Sequence, residues 1–177
     1  MSELFLELFS EEIPSGLQKN AREGMLKLFT ESFDKLDINF KSKKSYSTPK
    51  RLVFFFEGIP EKIEKKGMTI KGPKVDAPTI ALEGFIKSNN INRAEVFEQS
   101  IEKGRFFFAK ISPKIILVKQ ELAKIIPDIL NKYSWKKSMR WADHSLAWGR
   151  PLKSILALFD NQVIQFSFHH LFSSNPV

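Results

Sequence analysis

The first 36 residues constrain the fold most, because a strand pattern is followed at once by a helical pattern. Residues 3–9 place Leu4, Leu6 and Leu8 at every second position, which is typical of a strand with one fully apolar face. After Pro14, apolar side chains recur on one helical stripe: Leu17, Ala21, Met25, Leu28, Phe29 and Leu36. The sequence therefore predicts an opening strand and an amphipathic helix of about 20 residues, with Pro14 in its first turn.

The next apolar segments predict two strands and a less regular stretch. Residues 45–48 favour a strand that Pro49 ends, and residues 51–56 form an apolar run that is typical of a buried central strand. The stretch 63–74 is basic and contains both glycine and proline, so we expect a loop or an edge strand there.

Short helices and a hairpin are predicted for the middle of the chain. Apolar spacing favours helices over 78–89 and 93–99, and Asn92 is suited to cap the second helix. Residues 102–105 combine glycine with charged neighbours, which predicts a hairpin turn leading into a strand over 106–111.

The last third of the chain predicts one long helix and one hairpin. Residues 114–133 have apolar side chains at approximate helical spacing, and an interior proline costs about 3 kcal/mol in a helix. We therefore expect a kink or a restart at Pro127. Residues 152–159 and 163–168 favour two strands joined by a turn at Asp160-Asn161.

Together these elements indicate an α+β fold, with a mixed or antiparallel sheet and packed helices. Strands and helices do not alternate regularly, and the two hairpins favour antiparallel pairing. At 177 residues the chain has the length of one domain with room for a small appendage, so we expect a single α+β domain over 1–177. The sequence stops directly after a predicted strand without a closing helix, which favours a fragment of a longer chain.

Charge is unevenly distributed along the chain. The net charge is +8, yet residues 1–37 hold eight acids and four bases, whereas residues 38–177 hold twelve acids and 24 bases. A net charge of +12 on the later part favours a polyanionic partner. Nucleic acid is favoured over a membrane because no basic amphipathic helix stands out. The alternative is a lysine-rich surface that is merely solvated.

The composition argues against several classes of site. The chain has no cysteine, which excludes disulfides and thiolate zinc sites, and the adjacent His169 and His170 would point to opposite faces of a strand, which disfavours a metal site. The common phosphate-loop, dinucleotide, zinc-protease and serine-hydrolase motifs are missing. No signal peptide is recognisable and no apolar run reaches about 18 residues. We expect a cytoplasmic protein without a complete active site.

Two adjacent acids, Glu11 and Glu12, are candidate functional residues. They lie where the first predicted strand leads into the first predicted helix, and they could bind an amine or act as acid and base. Alternatively, they only complement the helix dipole close to its first turn.

Lysines and arginines near strand starts and glycines are candidate RNA contacts. Lys50 and Arg51 precede an apolar strand and could reach phosphates from a rigid base. Lys71 and Lys74 flank Gly72 and could follow an RNA backbone. A solvated strand start and a solvated loop are the respective alternatives.

Arginines close to tryptophans complete the candidate set. Arg140 directly precedes Trp141, and Arg150 lies two residues after Trp148. Such pairs serve base stacking on nucleic acid as well as cation–π packing within a protein. Burial of these tryptophans in the interior or at an interface is the alternative.

Several short segments, in this order, resemble a known family. Residues 4–14 (LFLELFSEEIP) are similar to the family's opening L-x-E-I-G-T-E-E-L-P, and residues 48–52 (TPKRL) are similar to its T-P-R-R-L. Further similar segments are Lys71-Gly72-Pro73, Ala81-Leu82-Glu83-Gly84-Phe85, Lys103-Gly104-Arg105, Met139-Arg140-Trp141 and Arg150-Pro151. Through them the chain resembles the N-terminal region of the β subunit of bacterial heterotetrameric glycyl-tRNA synthetases. It departs from the pattern at Phe9-Ser10, where the family has Gly-Thr, and at Lys50, where the family has Arg.

The resemblance implies a fold and a set of partners. In that family the α subunit carries the class II site that activates glycine with ATP and Mg²⁺, whereas the β subunit contributes tRNA binding and is required for aminoacylation. The chain is thus expected to work with the α subunit, the rest of the β subunit and tRNA(Gly), with no cofactor, metal or catalytic residue of its own. Its fold is expected to be similar to the B3/B4-type domain of phenylalanyl-tRNA synthetase β chains.

Three functions remain open at this point. The first is an accessory domain of a tRNA synthetase, for which the candidate RNA contacts are Lys50, Arg51, Lys71, Lys74, Arg140 and Arg150. The second is a structural docking module within the synthetase. The third is an editing-like hydrolytic domain that uses Glu11 or Glu12, although no nucleophile or metal set accompanies them.

Overall fold

The computed structural model of the protein describes residues 2–101, 104–141 and 143–173. The helices in these ranges are α1 (Ser15–Lys35), α2 (Thr79–Asn89) and α3 (Val118–Lys132), and Arg93–Glu95 form a single 3-10 turn. The strands are β1 (Ser2–Ser10), β2 (Ser42–Ser47), β3 (Arg51–Ile59), β4 (Lys62–Lys65), β5 (Met68–Lys74), β6 (Val96–Ile101), β7 (Gly104–Ile111), β8 (Lys114–Leu117), β9 (Leu152–Phe159), β10 (Gln162–Val163), β11 (Ser167–Phe168) and β12 (Leu171–Phe172). The predicted α+β class is confirmed.

The chain divides into two compact units. Unit 1 comprises residues 1–63 and 116–177, and unit 2 comprises residues 64–115. The chain passes from unit 1 to unit 2 within β4 and returns within β8. The assignment of 1–177 to a single domain stays a prediction.

Unit 1 is built on a five-stranded antiparallel sheet with the order β10-β9-β1-β3-β2. β1 is central because it pairs with β3 on one side and with β9 on the other. The predicted alternation of Leu4, Leu6 and Leu8 is confirmed, because all three are buried in the core to which α1 and α3 also contribute.

Aromatic rings fill the centre of this core. Phe29 and Phe33 of α1 pack against Phe54 and Phe56 of β3, with ring centres 5.5 Å apart for Phe29 and Phe54 and 4.9 Å apart for Phe33 and Phe56. All four side chains are fully buried. Full burial of one side chain of this size contributes about 1.5–3 kcal/mol, so the packing of α1 onto β3 is a main source of stability in unit 1.

The predicted first helix is confirmed as α1, with one difference at its start. Pro14 caps the helix from an extended conformation (φ −53°, ψ 138°) and does not lie in the first turn. Its carbonyl oxygen accepts the first helical hydrogen bond, from the N–H of Leu17 at 2.8 Å. A proline suits this place because it has no N–H of its own to satisfy.

Unit 2 holds a three-stranded antiparallel sheet with the order β5-β7-β6, and α2 packs against β5. β5 is an edge strand, as the basic stretch 63–74 indicated. The pairing of β5 with β7 is irregular between Lys71 and Lys74. At Gly72, within this irregular part, the ring of Phe85 approaches so closely that a Cβ atom would lie 2.9 Å from it. The glycine therefore allows α2 to pack tightly on the sheet.

The helix predicted over 93–99 is wrong beyond its first turn. Asn92 does cap the start, and its N–H donates to the carboxylate of Glu95 at 3.1 Å. From Val96 onward the chain is strand β6, which pairs with β7 along its whole length. Val96 and Phe97 have side chains that favour strands, and a neighbouring strand was available to pair with them.

Two predictions for the last third also need correction. Residues 114–117 form strand β8, where β-branched Ile115 and Ile116 favour a strand. α3 includes Pro127 without a restart, and the alternative, a kink at Pro127, stays a prediction. The second strand of the final hairpin, predicted over 163–168, is limited to the two residues of β10, and β11 follows separately.

The turn of the final hairpin was predicted at the right place. Asp160 and Asn161 have φ of 49° and 59°, as a two-residue hairpin turn requires. Of the other turn, residues 102 and 103 lie outside the described residues, and Ile101 pairs with Gly104 across it.

Candidate functional site

Three segments meet where β1 ends and where β3 and β9 begin. The N–H of Ser10 donates to the carbonyl of Lys50 at 2.8 Å, and the N–H of Glu11 donates to the carbonyl of Pro151 at 2.9 Å. The segment S-E-E-I-P is thus held between the T-P-K-R turn and the start of β9. We name the charged side chains at this end of the sheet the strand-end cluster: Glu7, Glu11, Glu12, Lys50, Arg51, Arg150 and Lys153.

The turn between β2 and β3 is fixed by its own residues. The N–H of Thr48 donates to the carbonyl of Arg51 at 2.9 Å, and the Thr48 hydroxyl accepts from the N–H of Arg51 at 3.0 Å. Pro49 has a fixed φ that suits the second position of such a turn. Lys50 and Arg51 are therefore presented from a rigid base at the start of a buried strand.

The two candidate acids, Glu11 and Glu12, both lie beside lysines. Lys153 Nζ is 2.5 Å from a carboxylate oxygen of Glu11, and Lys50 Nζ is 3.9 Å from one of Glu12. The hydrogen bond and the charge of Lys153 lower the pKa of Glu11, with a smaller contribution from Lys50. A carboxylate with a lowered pKa is a poor proton donor and a weak base, so this geometry favours an ion-pairing role.

Arg51 is held on two sides at the first position of β3. Its Nε lies 3.4 Å from a carboxylate oxygen of Glu7, and its guanidinium carbon lies 4.7 Å from the ring centre of Phe9. Both partners belong to β1, the neighbouring strand. The side chain is still 49% exposed, so the guanidinium is fixed in direction and retains access to solvent.

Arg150 connects two segments of unit 1. Its Nε donates to the carbonyl of Glu12 at 3.1 Å, and its Nη1 lies 3.6 Å from the sulfur of Met139. Trp148, two residues before Arg150, is buried, and its ring packs edge-on against Trp135 with centres 5.2 Å apart. For this arginine and tryptophan, the structure favours packing over contact with RNA.

Arg140 follows a short bridge between two strand-like segments. The backbones of Met139 and Trp148 exchange hydrogen bonds of 2.8 and 3.1 Å, and the next side chain, that of Arg140, is exposed. The structure gives Arg140 no ion pair with a described residue. Its guanidinium is therefore available to an external anion.

Lys71 and Lys74 lie on β5 of unit 2, where both approach the ring of Phe106. The Nζ atoms are 3.7 Å and 5.9 Å from the ring centre, respectively. Both side chains are exposed, and neither forms an ion pair with a described residue. Of the two predicted alternatives, loop or edge strand, the structure has the edge strand, so these cations are displayed from a sheet.

A pair of histidines forms a feature that the sequence did not predict. The rings of His144 and His170 stack with centres 3.6 Å apart and planes within 6°. His169 turns away, and its ring nitrogens contact Asn131 and Ser145. In the part of the chain that the structure describes, no three side chains of His, Cys, Asp or Glu are grouped as metal ligands, and no helix is long and apolar enough to cross a membrane.

Comparison with known proteins decides the family. The sequence profile of "Glycyl-tRNA synthetase beta subunit" matches residues 4–177, which is nearly the whole chain. The chain belongs to the glycyl-tRNA synthetase beta subunit family. The resemblance that rested on short segments is thereby confirmed.

Curated relatives agree with this assignment. The glycine–tRNA ligase beta subunits of Rickettsia felis and Rickettsia prowazekii are each 41% identical over 175 residues, and that of Rickettsia bellii is 39% identical. Each alignment covers 99% of this chain and 26% of the relative. The chain thus spans about a quarter of the length of these relatives and corresponds to the N-terminal region of the family.

In this member of the glycyl-tRNA synthetase beta subunit family, the candidate residues belong to two different units. The fold brings Glu11, Glu12, Lys50, Arg51 and Arg150 together in the strand-end cluster of unit 1. Arg140 belongs to the same unit, whereas Lys71 and Lys74 belong to unit 2. The candidates therefore differ in their surroundings: those of the strand-end cluster have partners within the protein.

Local sequence patterns did not indicate the partners of the cluster. Lys153 was not singled out, although it pairs with Glu11, because its place beside β1 depends on the pairing of β9 with β1. Phe106 was also missed, although it lies beneath Lys71 and Lys74. The run Phe106-Phe107-Phe108 was a usable signal, because alternation along a strand must place one or two of these rings on each face.

Proposed function

We propose that the chain is a tRNA-binding accessory region of a glycyl-tRNA synthetase β subunit that supports the ATP-dependent attachment of glycine to tRNA(Gly) without an active site of its own. In this proposal it acts in the cytoplasm with the α subunit and the rest of the β subunit. ATP and Mg²⁺ are then used on the α subunit, and this chain contributes contacts to RNA.

The observation that carries the proposal concerns three of the six candidate RNA contacts: Lys71, Lys74 and Arg140 are exposed and have no carboxylate partner among the described residues. A cation that is already paired with a carboxylate must give up that pair to bind a phosphate, whereas an unpaired cation need not. Lys50 and Arg51 are half-exposed and paired, so they rank second as RNA contacts. Arg150 ranks last because its Nε hydrogen-bonds within unit 1.

The strand-end cluster supports a second candidate function, a structural docking module. Its acids face cations of the same chain, and the S-E-E-I-P segment is bonded into the sheet through its main chain. Such an arrangement makes this end of the sheet rigid, and it leaves few unpaired charges that could bind RNA. An editing-like hydrolytic role has less support, because the lowered pKa of Glu11 disfavours acid–base chemistry.

Salt-dependent tRNA binding tests the leading proposal. We expect tRNA(Gly) to bind the chain at low salt, measured by fluorescence anisotropy, and the affinity to fall steeply as salt is raised. Lys71→Gln combined with Lys74→Gln should weaken binding at all salt concentrations and reduce the slope of log K against log salt by about 1 for each lost phosphate contact.

The matched control replaces two exposed lysines of α1, Lys19→Gln with Lys27→Gln, which already pair with Glu23 and Glu31. We expect this variant to bind almost as well as the unchanged chain. An equal loss of tRNA affinity in both double variants would contradict a specific RNA contact at Lys71 and Lys74. Absence of tRNA binding at low salt, together with binding to the α subunit, would favour the docking module.

A further inference from the structure

Alternation along β7 defines two faces of the unit 2 sheet. Phe106, Phe108 and Lys110 lie on one face, and Phe97 lies there too because it pairs directly with Phe108. The opposite face holds Ala109, which is fully buried. Gly72, which follows Lys71 along β5, also lies on that side, with the ring of Phe85 from α2 against it. We name the first face the aromatic face.

Two rings of the aromatic face form a shelf. The centres of Phe97 and Phe108 are 6.1 Å apart, and their planes lie within 25° of each other. Phe97 is 42% exposed, so part of its ring is accessible to a ligand. A flat, exposed ring beside a second, nearly parallel ring is a surface on which a nucleic-acid base can stack.

Three lysines accompany these rings. Lys71 and Lys74 pair with Phe108 and Phe106 across the β5–β7 ladder, and Lys110 follows on β7. All three are exposed, and none forms an ion pair with a described residue. Unit 2 as a whole has ten Lys and Arg against six Asp and Glu within residues 64–115.

The strands of the unit 2 sheet carry no carboxylate on the aromatic face. Among the residues of β5, β6 and β7, the one acid is Glu98, and it pairs with Phe107 on the opposite face. The aromatic face is therefore apolar and positively charged, without a negative group along its strands. A protein partner with an ordinary apolar interface would leave the three lysines unpaired. A nucleic acid with accessible bases can both stack on the rings and bind the lysines through its phosphates.

Unpaired RNA fits this face better than a duplex does. In a duplex the bases already stack on each other and their faces are closed, whereas an unpaired strand can splay its bases onto aromatic side chains. Phosphates along such a strand would lie beside the lysines that flank the rings.

We propose that the aromatic face binds an unpaired stretch of RNA, with a base stacked on Phe97 and phosphates bound by Lys71, Lys74 and Lys110. This inference rests on the proposed tRNA-binding function, since it names the part of the RNA that unit 2 recognises. Phe108 supports the stacked base from beside Phe97.

The test uses the full chain and a fluorescently labelled oligouridylate of roughly 12 nucleotides, compared with a blunt RNA duplex of the same length. We expect tighter binding to the single strand. Phe97→Ala should weaken it by roughly 5- to 150-fold, the range of one lost base–aromatic stack. Phe97→Tyr should retain binding, and Phe97→Leu should not, because leucine has no π face.

Phe172→Ala is the matched control, since Phe172 is an exposed phenylalanine of unit 1. Circular dichroism on each variant confirms that the fold is kept, and Phe97→Tyr supplies a second reading if Phe97→Ala unfolds. Lys110→Gln should lower the slope of log K against log salt by about 0.7, the value for one phosphate of a single strand.

Three results would overturn the inference. The first is equal affinity of Phe97→Ala and the unchanged chain for the oligouridylate, and the second is full binding by Phe97→Leu. The third is loss of α-subunit binding in Phe97→Ala with RNA binding unchanged, which would make the face a protein interface. If tRNA binds but Phe97 has no effect, only this inference fails. If neither RNA binds, the proposed function fails with it.

Discussion

Lys153 and Glu11 form an ion pair with an N–O distance of 2.5 Å, and this pair joins the start of β9 to the segment that follows β1. The hydrogen bond between the N–H of Glu11 and the carbonyl of Pro151 runs beside it. The end of the sheet is therefore tied together through both the side chain and the main chain of one residue.

Replacing Lys153 should change the pH dependence of stability. The pKa of Glu11 is lowered in the folded state, so the pair stabilises the fold above the ordinary carboxyl value of 4.5, and this contribution is lost as the pH falls through the folded-state pKa. We expect Lys153→Met to be less stable than the unchanged chain at neutral pH and equally stable in strong acid, by urea unfolding across pH. Lys136→Met, at an exposed lysine, should show no such convergence. A difference in the free energy of unfolding between Lys153→Met and the unchanged chain that stays constant at all pH values would contradict a stabilising ion pair with Glu11.

Truncation of Phe29 should destabilise unit 1 strongly. Its ring contacts those of Phe33, Phe54 and Phe56, so alanine would leave a cavity in the centre of the core. We expect Phe29→Ala to lower the free energy of unfolding by about 3–5 kcal/mol, measured by urea denaturation. The control, Phe172→Ala, removes a ring that is 73% exposed and should cost within about 0.5 kcal/mol. Similar losses of stability in both variants would contradict the burial of Phe29 in the centre of the core.

Two glycines of unit 1 should respond in opposite directions to alanine. A Cβ atom at Gly149 would overlap the ring of Trp135, so Gly149→Ala should destabilise by about 1–3 kcal/mol. At Gly16, near the start of α1, a Cβ atom would meet no other atom within 4 Å, and Gly16→Ala should stabilise by up to about 1 kcal/mol. Thermal unfolding of both variants measures the difference. A stabilising Gly149→Ala would refute the close approach of Trp135.

His170 should titrate below the ordinary histidine value. Burial lowers its pKa from 6.5, and the charges of His144 and His169 lower it further. The contribution of His170 to stability should therefore be constant above pH 6.5 and decrease as the pH falls from there toward the folded-state pKa. NMR titration of the ring protons measures the shift. In His144→Phe, which keeps a stacked ring without its charge, the pKa of His170 should rise, and an unchanged value would argue against the interaction.

The sequence was a reliable guide where the pattern of one segment decided its structure. Leu4, Leu6 and Leu8 defined β1, and the stripe from Leu17 to Leu36 defined α1, because each segment buries a single apolar face. It misled at residues 96–99, where helical spacing competed with strand propensity and pairing with β7 decided the outcome. The likeness to the B3/B4-type domain stays a prediction.

The candidate site was less predictable than the fold. The sequence identified Lys50, Arg51 and Glu12 as charged residues near turns, but it did not reveal that Lys50 lies beside Glu12. Such pairs depend on strand register between distant segments, which no local pattern encodes. The contact between Lys71 and the ring of Phe106 was not predictable for the same reason. Phe106 comes to lie beneath Lys71 only through the pairing of β5 with β7.

The central place of β1 has a consequence for the order in which the protein forms during synthesis. Glu3 and Asp160, which are joined by a hydrogen bond, are 157 positions apart, so β1 emerges from the ribosome long before β9 can flank it. Unit 2 is continuous in sequence and has all its residues available earlier. At about 5–20 residues per second, the open edge of β1 waits roughly 7–30 seconds for its second neighbour. During that interval the nascent chain offers an unpaired strand edge, which is the surface that a chaperone at the ribosome would need to shield.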